Sequence, residues 1–101
     1  AGMWEFPGGK VEPGKDKGLK AALKREIREE LGQDSLIGDE FCRVRHYYTT
    51  NKVHLIAFHV RLAGAKFKLK KNMRWVPFKD LQRYPMPSGS AKILEKIQEG
   101  L

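Results

Sequence analysis

The chain has 101 residues, 41% of them hydrophobic, which suits one small globular domain with a single core. Its one cysteine, Cys42, excludes an internal disulfide and predicts the reduced setting of the cytoplasm, and no run reaches the ~20 apolar residues of a membrane helix, so we expect no membrane partner. The 20 Lys and Arg against 12 Asp and Glu give a net charge of +8, which favours a polyanionic partner such as a nucleotide or a nucleic acid.

The first half of the chain predicts a strand end, a loop and a helix. The stretch MWEFP, residues 3–7, is typical of a strand end that enters a loop over 7–18. Apolar residues then recur at helical spacing and predict an amphipathic helix over about 18–31. Gly32 is a suitable residue to end it.

The second half predicts a strand pair and a closing helix. The stretches FCRVRHYYTT (41–50) and KVHLIAFHVRL (52–62) are β-branched and aromatic, which predicts an antiparallel pair with a turn at Asn51-Lys52. Three further elements are predicted: a short strand at MRWVPF (73–78), about one helical turn at KDLQRY (79–84), and an amphipathic helix at SAKILEKIQEGL (90–101) with Ile93, Leu94 and Ile97 inward.

The predicted first helix carries three glutamates on one face. At ~100° per residue, Glu26, Glu29 and Glu30 lie together beside the apolar stripe that contains Ile27. Like charges at these spacings repel, whereas a cation between them would reverse the sign. Mg²⁺ and Mn²⁺ prefer carboxylate oxygens and are commonly shared with substrate phosphates. The alternative is a solvated face on which neighbouring Lys and Arg side chains offset the glutamates.

The loop before this helix favours a phosphate ligand. Gly8-Gly9 permits a close backbone approach, and Pro13-Gly14 suits a tight turn. The segment can therefore wrap around phosphates while Lys10 adds positive charge.

Together, WEFPGGKVEPG and REIREELG resemble the signature of the Nudix family, G-x5-E-x7-R-E-U-x-E-E-x-G-U with U an aliphatic residue. The stretches HYYTTNKVHLIAFHV, RWVPFKDL and YPMPSGSAKIL resemble successive segments of its MutT-type branch, so essentially the whole chain is covered. The resemblance implies an α+β fold, an α/β/α sandwich with a central mixed sheet, over 1–101 as a single domain. It also implies hydrolysis of a nucleoside triphosphate, including oxidised ones such as 8-oxo-dGTP, to nucleoside monophosphate and pyrophosphate.

The resemblance implies roles for individual residues. The cofactor would be Mg²⁺ or Mn²⁺, which would polarise a phosphoryl oxygen and position an attacking water. Arg25 would fasten the helix to the loop by pairing with a carboxylate. The implied catalytic residues are Arg25, Glu26, Glu29 and Glu30; the metal ligands are the same three glutamates with the carbonyl of Gly9; and the substrate contacts are Phe6, Gly8, Gly9, Lys10 and Ser90. Ser90 lies where MutT-type enzymes often read the purine edge with Asn or Asp. Phe6 is, from its aromatic ring, a candidate for stacking on a base, and the alternative is that it packs in the core.

The loop departs from the signature. Five residues separate Gly9 from Lys15, which stands where the signature has Glu, and nine residues rather than seven separate Lys15 from Arg25. The loop is therefore two residues longer than the pattern. Glu12 and Asp16 are the nearby carboxylates that could replace the missing acid.

Two other regions differ from the family. The stretch KFKLKKNMRW has no acidic residue before Trp75, where relatives in this branch commonly carry one. The strand that usually precedes WEFPGGK does not occur in this sequence, so we expect either a fragment of a longer protein or a sheet that is completed differently. An edge left open in the sheet would invite pairing with another chain, so an oligomer is one expectation.

A second function class stays open. A non-catalytic Nudix-like domain, comparable to the C-terminal domain of adenine DNA glycosylases, also contains a WEFPGGK-like stretch and tolerates a degraded signature. The charge of +8 and the basic stretch AKFKLKK would suit its nucleic-acid partner. The complete REIREE set favours the hydrolase. His46, His54 and His59 are interpreted as strand residues rather than a metal cluster.

Overall fold

The computed structural model describes residues 2–64 and 69–100. In chain order they form the elements α1 (Leu19–Leu31), β1 (Ser35–Tyr47), β2 (Lys52–Leu62), a 3₁₀ helix (Phe78–Arg83) and α2 (Ser88–Glu99). The predicted α+β class is confirmed. The described residues contribute to the sheet only the two-stranded antiparallel pair of β1 and β2.

Glycines bound α1 at both ends. Gly18, with φ of 105°, precedes the helix, and Gly32, with φ of 66°, follows it in the left-handed region. The Gly32 N–H donates to the Arg28 carbonyl at 2.9 Å and closes the last turn. The apolar stripe buries Ala22 and Ile27. The helix predicted over about 18–31 is therefore confirmed.

The hairpin is longer than predicted and turns earlier. β1 begins at Ser35, six residues before the predicted 41, although this stretch contains Gly38, a poor strand residue. Pairing explains the difference, because a Cβ at position 38 would lie 3.2 Å from the His59 carbonyl oxygen. The turn predicted at Asn51-Lys52 is also misplaced, since Tyr48 N–H donates to the Asn51 carbonyl at 2.8 Å and β2 already begins at residue 52.

Two short strand predictions are wrong. Residues 2–6 form no strand, and Trp4 N–H donates to the Pro85 carbonyl at 2.8 Å. Residues 73–77 also form no strand, and Phe78 is the first residue of the 3₁₀ helix. The physical reason for the second error is Pro77, which has no N–H for a ladder and whose carbonyl accepts the first bond of that helix.

The two C-terminal helices were predicted correctly in type. The 3₁₀ helix covers most of the predicted KDLQRY turn and buries Leu81. α2 begins at Ser88, two residues before the predicted stretch, and its apolar residues at 93, 94 and 97 are half-buried. The Lys92 ammonium donates to the Arg45 carbonyl at 2.7 Å and so ties α2 to β1.

The chain divides into two compact units. The first comprises Ala1–Phe6, Glu40–Phe58 and Trp75–Leu101, and the second comprises Pro7–Asp39 and His59–Arg74. α1 and the glycine-rich loop belong to the second unit, and α2 to the first. Within the described ranges, no helix is long and apolar enough to cross a membrane.

Candidate active site

The centre of the candidate site is Arg25, which joins α1 to the glycine-rich loop. Its Nε donates to Asp16 Oδ1 at 2.8 Å and its Nη2 donates to Asp16 Oδ2 at 2.9 Å. Nη2 also donates to the backbone carbonyl of Lys10 at 3.1 Å. Two parallel charge-assisted bonds fix the orientation of a guanidinium as well as its position. The loop is thus fastened to the helix at two points.

Asp16 is the loop carboxylate that pairs with Arg25, and the spacing of the Nudix signature does not identify it. Counting from Gly9 places the acid at Lys15, whereas counting seven intervening residues back from Arg25 places it at Lys17. Asp16 lies between the two positions. The two-residue extension of the loop therefore places one additional residue on each side of Asp16. Counting the signature spacing from only one end does not identify Asp16.

The surroundings of Asp16 favour its ionised form. Its side chain is only 2% exposed, and its Oδ2 also accepts the Glu12 N–H at 2.7 Å. The hydrogen bonds from Arg25, and next the one from the Glu12 backbone, lower the pKa of the Asp16 carboxyl to about 2. The pKa of Arg25 is raised above its ordinary value, chiefly by the hydrogen bond to Asp16. The pair is charged throughout the physiological range.

The third nitrogen of Arg25 contacts two of the predicted metal ligands. Nη1 donates to Glu26 Oε1 at 2.9 Å and to Glu29 Oε2 at 3.2 Å. Lys15 adds a second positive charge, with Nζ 3.9 Å from Glu29 Oε1 and 3.3 Å from Glu12 Oε2. Arg25 and Lys15 therefore offset the repulsion between the helix carboxylates.

The glycine turn lies directly against the other side of this face. The Gly8 N–H donates to Glu30 Oε2 at 3.3 Å. A Cβ built at Gly9 would overlap the Glu26 carboxylate, so a larger residue there would require this carboxylate to move. The structure thus brings Gly8, Gly9, Glu26 and Glu30 together, as one backbone turn packed on two carboxylates.

The predicted glutamates are neighbours but do not converge on one point. Among residues 2–64 and 69–100, no three His, Cys, Asp or Glu side chains are grouped so that they could hold a metal ion. Glu26 and Glu29 are turned toward Arg25, and Glu30 is turned toward Gly8. The donor chemistry nevertheless fits a hard divalent cation, since it consists of carboxylates beside a backbone turn that a Cβ would fill. To hold a shared ion, these carboxylates would have to turn away from Arg25 and Gly8.

The remaining predicted substrate contacts are Phe6, Ser90 and Lys10. Phe6 and Ser90 are half-buried residues of the first unit, so their contact with a substrate stays a prediction. Lys10 is exposed, and its backbone carbonyl is engaged by Arg25. Cys42, also in the first unit, is half-buried, and burial raises the pKa of its thiol, so it is a poor nucleophile.

Comparison with known proteins places these features in a family. The family model described as a NUDIX domain matches residues 1–96. The chain is 33% identical over 97 residues to a CTP pyrophosphohydrolase of Escherichia coli K12, covering 94% of this chain and 70% of that protein. It is 30% identical over 99 residues to an 8-oxo-dGTP diphosphatase of Buchnera aphidicola subsp. Schizaphis graminum, covering 96% of this chain and 73% of that protein.

A solved structure is similar to this chain in fold and in sequence. The solution structure of the E. coli ORF135 protein superposes with a TM-score of 0.81 at 32% identity, covering 97% of this chain and 70% of that one. The likeness therefore extends over nearly the whole chain.

Proposed function

The chain belongs to the Nudix family of hydrolases, and from this we propose that it hydrolyses a nucleoside triphosphate to a nucleoside monophosphate and pyrophosphate with the help of a divalent cation. The observation that carries the proposal is the packing of the Gly8-Gly9 turn on Glu26 and Glu30. It combines a backbone that can approach phosphates closely with carboxylates that suit the cation accompanying them.

We assign Mg²⁺ or Mn²⁺ to the acidic face of α1, which is the helix face that carries Glu26, Glu29 and Glu30. Nudix hydrolases generally use divalent metal ions. The carboxylates of Glu26, Glu29 and Glu30, with the carbonyl of Gly9, are the groups that would hold the ion. Bound there, the ion would neutralise phosphate charge and polarise a phosphoryl oxygen.

The chain's own residues would orient the substrate. Lys10 is exposed beside the glycine turn and can pair with the polyphosphate. Arg25 would hold the loop and the helix in register while a phosphate and a water are in place, because its five donors are spread over the loop and two glutamates. Water adds across one phosphoanhydride bond, and pyrophosphate leaves.

The base of the substrate is proposed from similarity. The relatives are named for CTP and for 8-oxo-dGTP, so the proposed substrates are non-standard or oxidised nucleotides such as 8-oxo-dGTP, together with CTP. Phe6 would stack on the base and Ser90 would contact its edge. The Ser90 hydroxyl makes one-point contact where an amide would make two, so we expect relaxed discrimination between bases. We place the reaction in the cytoplasm, in keeping with the free thiol of Cys42.

The experiment that tests the proposal is a nucleotide screen. The purified chain is incubated with the common and oxidised nucleoside triphosphates, CTP and 8-oxo-dGTP included, with Mg²⁺, with Mn²⁺ and with chelator. We expect pyrophosphate release from at least one nucleotide that requires the ion. Absence of release from every nucleotide at every metal concentration would overturn the proposal.

A further inference from the structure

A chain of contacts leads from the buried loop carboxylate to the acidic face. Asp16 binds Nε and Nη2 of Arg25, and the opposite end of the same guanidinium, Nη1, donates to Glu26 Oε1 at 2.9 Å. A guanidinium is planar and rigid, so fixing two of its nitrogens fixes the third. The position of Asp16 therefore determines where Arg25 presents its last donor to Glu26.

Asp16 is better placed than Glu12, the other loop carboxylate near Arg25, to fix the guanidinium. Glu12 Oε2 lies 3.9 Å from Arg25 Nη2, and its side chain is 51% exposed. Asp16 makes two bonds shorter than 3 Å to the guanidinium and is 2% exposed. A charge-assisted bidentate pair shielded from water is stronger and more specific than an exposed single contact.

The loop backbone explains why position 16 faces inward. Both the Lys15 and the Asp16 N–H groups donate to the Glu12 carbonyl, at 3.1 and 2.9 Å. The closed turn leaves Lys15 and Lys17 exposed while it buries the Asp16 side chain. An acid at 15 or 17 would then not reach the place that Asp16 occupies.

We infer that Asp16 is a positioning residue that acts through Arg25 to hold Glu26 against the Gly9 backbone, and so replaces the acid that the longer loop has displaced. The inference rests on the proposed function in taking Glu26 as a cation ligand. It explains how a loop two residues longer than the family signature still supports the acidic face of α1.

The test compares four variants of the full chain by three readouts. The variants are Asp16→Asn, Asp16→Glu, the double Asp16→Ala with Lys17→Glu, and Asp34→Asn. The last is a matched control, since Asp34 pairs with Arg28 on an exposed part of the same unit. The readouts are the Mn²⁺ dissociation constant, the separate kcat and KM for a cleaved nucleotide, and the NMR signal of the Arg25 Nε–H, assigned with Arg25→Lys.

Asp16→Asn is expected to weaken Mn²⁺ binding about tenfold or more and to lower kcat more than it raises KM, the effect typical of removing a partner that orients a ligand. Its Arg25 Nε–H should lose protection from solvent exchange. Asp16→Glu should fall between wild type and Asp16→Asn in all three readouts. The relocated acid at position 17 should restore none of them, and Asp34→Asn should match wild type.

Three results would overturn the inference. One is wild-type Mn²⁺ affinity in a folded Asp16→Asn. Another is recovery of Mn²⁺ affinity when the acid is moved to position 17. The third applies if Asp16→Asn does not fold, in which case Asp16→Glu is the deciding variant. A changed Arg25 Nε–H signal in Asp16→Glu together with unchanged Mn²⁺ affinity would then overturn the inference. A wild type that releases no pyrophosphate would defeat the proposed function alone, because the Arg25 signal and Mn²⁺ binding are read without a nucleotide.

Discussion

Asp16 and Arg25 face each other across two parallel hydrogen bonds of 2.8 and 2.9 Å, with the carboxylate almost fully shielded from water. The pair closes the glycine-rich loop onto α1. Because the same guanidinium also contacts Glu26 and Glu29, the stability of the loop and the geometry of the acidic face depend on one contact.

The first prediction concerns acid stability. The pKa of Asp16 is lowered from 3.8 to about 2, so in the folded chain the carboxylate binds its proton less readily than in the unfolded chain. Its stabilising contribution is therefore complete above pH 3.8 and is lost as the pH falls toward 2. Urea unfolding at a series of pH values should show a steeper loss of stability in wild type than in Asp16→Asn over this window. Parallel slopes would contradict the ion pair.

The second prediction concerns the glycine turn. In Gly9→Ala the new Cβ would overlap the Glu26 carboxylate and force it or the turn to move. A displacement of about 1 Å at a reacting site can lower the rate about a hundredfold, and we expect a loss of that order in kcat. Gly100→Ala is the matched control, since its Cβ would meet nothing nearer than the Ile97 carbonyl oxygen at 3.6 Å. Equal activities of the two variants would argue against a site at this turn.

The third prediction concerns Lys15, which stands where the family signature has an acid. Since Asp16 already supplies the carboxylate for Arg25, Lys15→Glu adds nothing that Arg25 lacks. Activity should change less than tenfold, or ~1.4 kcal/mol in the barrier. Steady-state kinetics on the best nucleotide will measure it. A much larger gain would mean that the natural loop leaves the enzyme impaired, and the non-catalytic reading would gain ground.

The fourth prediction separates a hydrolase from a duplex reader. Binding along a DNA backbone would make log affinity fall with log salt by ~0.9 for each phosphate neutralised. The basic stretch that could follow DNA includes Lys68, which lies outside the described residues, and Lys70 and Lys71, which are exposed. Replacing Lys70 and Lys71 with Ala should leave nucleotide hydrolysis unchanged. We expect wild type to bind duplex DNA weakly, so that the double variant changes its salt slope little. Tight binding with a steep slope that these substitutions flatten would favour nucleic-acid recognition.

The sequence predicted the elements whose signal is local. α1 combines a helical apolar stripe with Gly32 at its end, and the hairpin core and α2 are strongly patterned, so their type was predicted correctly. The start of β1 was not, because Gly38 lies in the strand through pairing with β2 rather than through propensity. Residues 73–77 have strand composition, but Pro77 leads directly into the 3₁₀ helix.

The sequence also predicted part of the candidate site. The order of Gly8, Gly9, Glu26 and Glu30 along the chain identified the residues that the fold brings together. The sequence named Asp16 only as a nearby carboxylate, because no spacing rule says which residue of an extended loop turns inward. That choice depends on the backbone bonds to the Glu12 carbonyl, which only the structure shows. The same holds for Arg25 Nη1, whose partners depend on side-chain rotamers.

The most direct test of the central claim compares wild type with the double variant Glu29→Gln, Glu30→Gln on the best nucleotide at saturating Mn²⁺, with both products quantified. The account predicts that wild type forms nucleoside monophosphate and pyrophosphate in equal amounts. It also predicts that the folded double variant loses the rate by orders of magnitude together with its Mn²⁺ binding, because two carboxylate donors are gone. Release of inorganic phosphate in place of pyrophosphate, or a double variant as active as wild type, would contradict it.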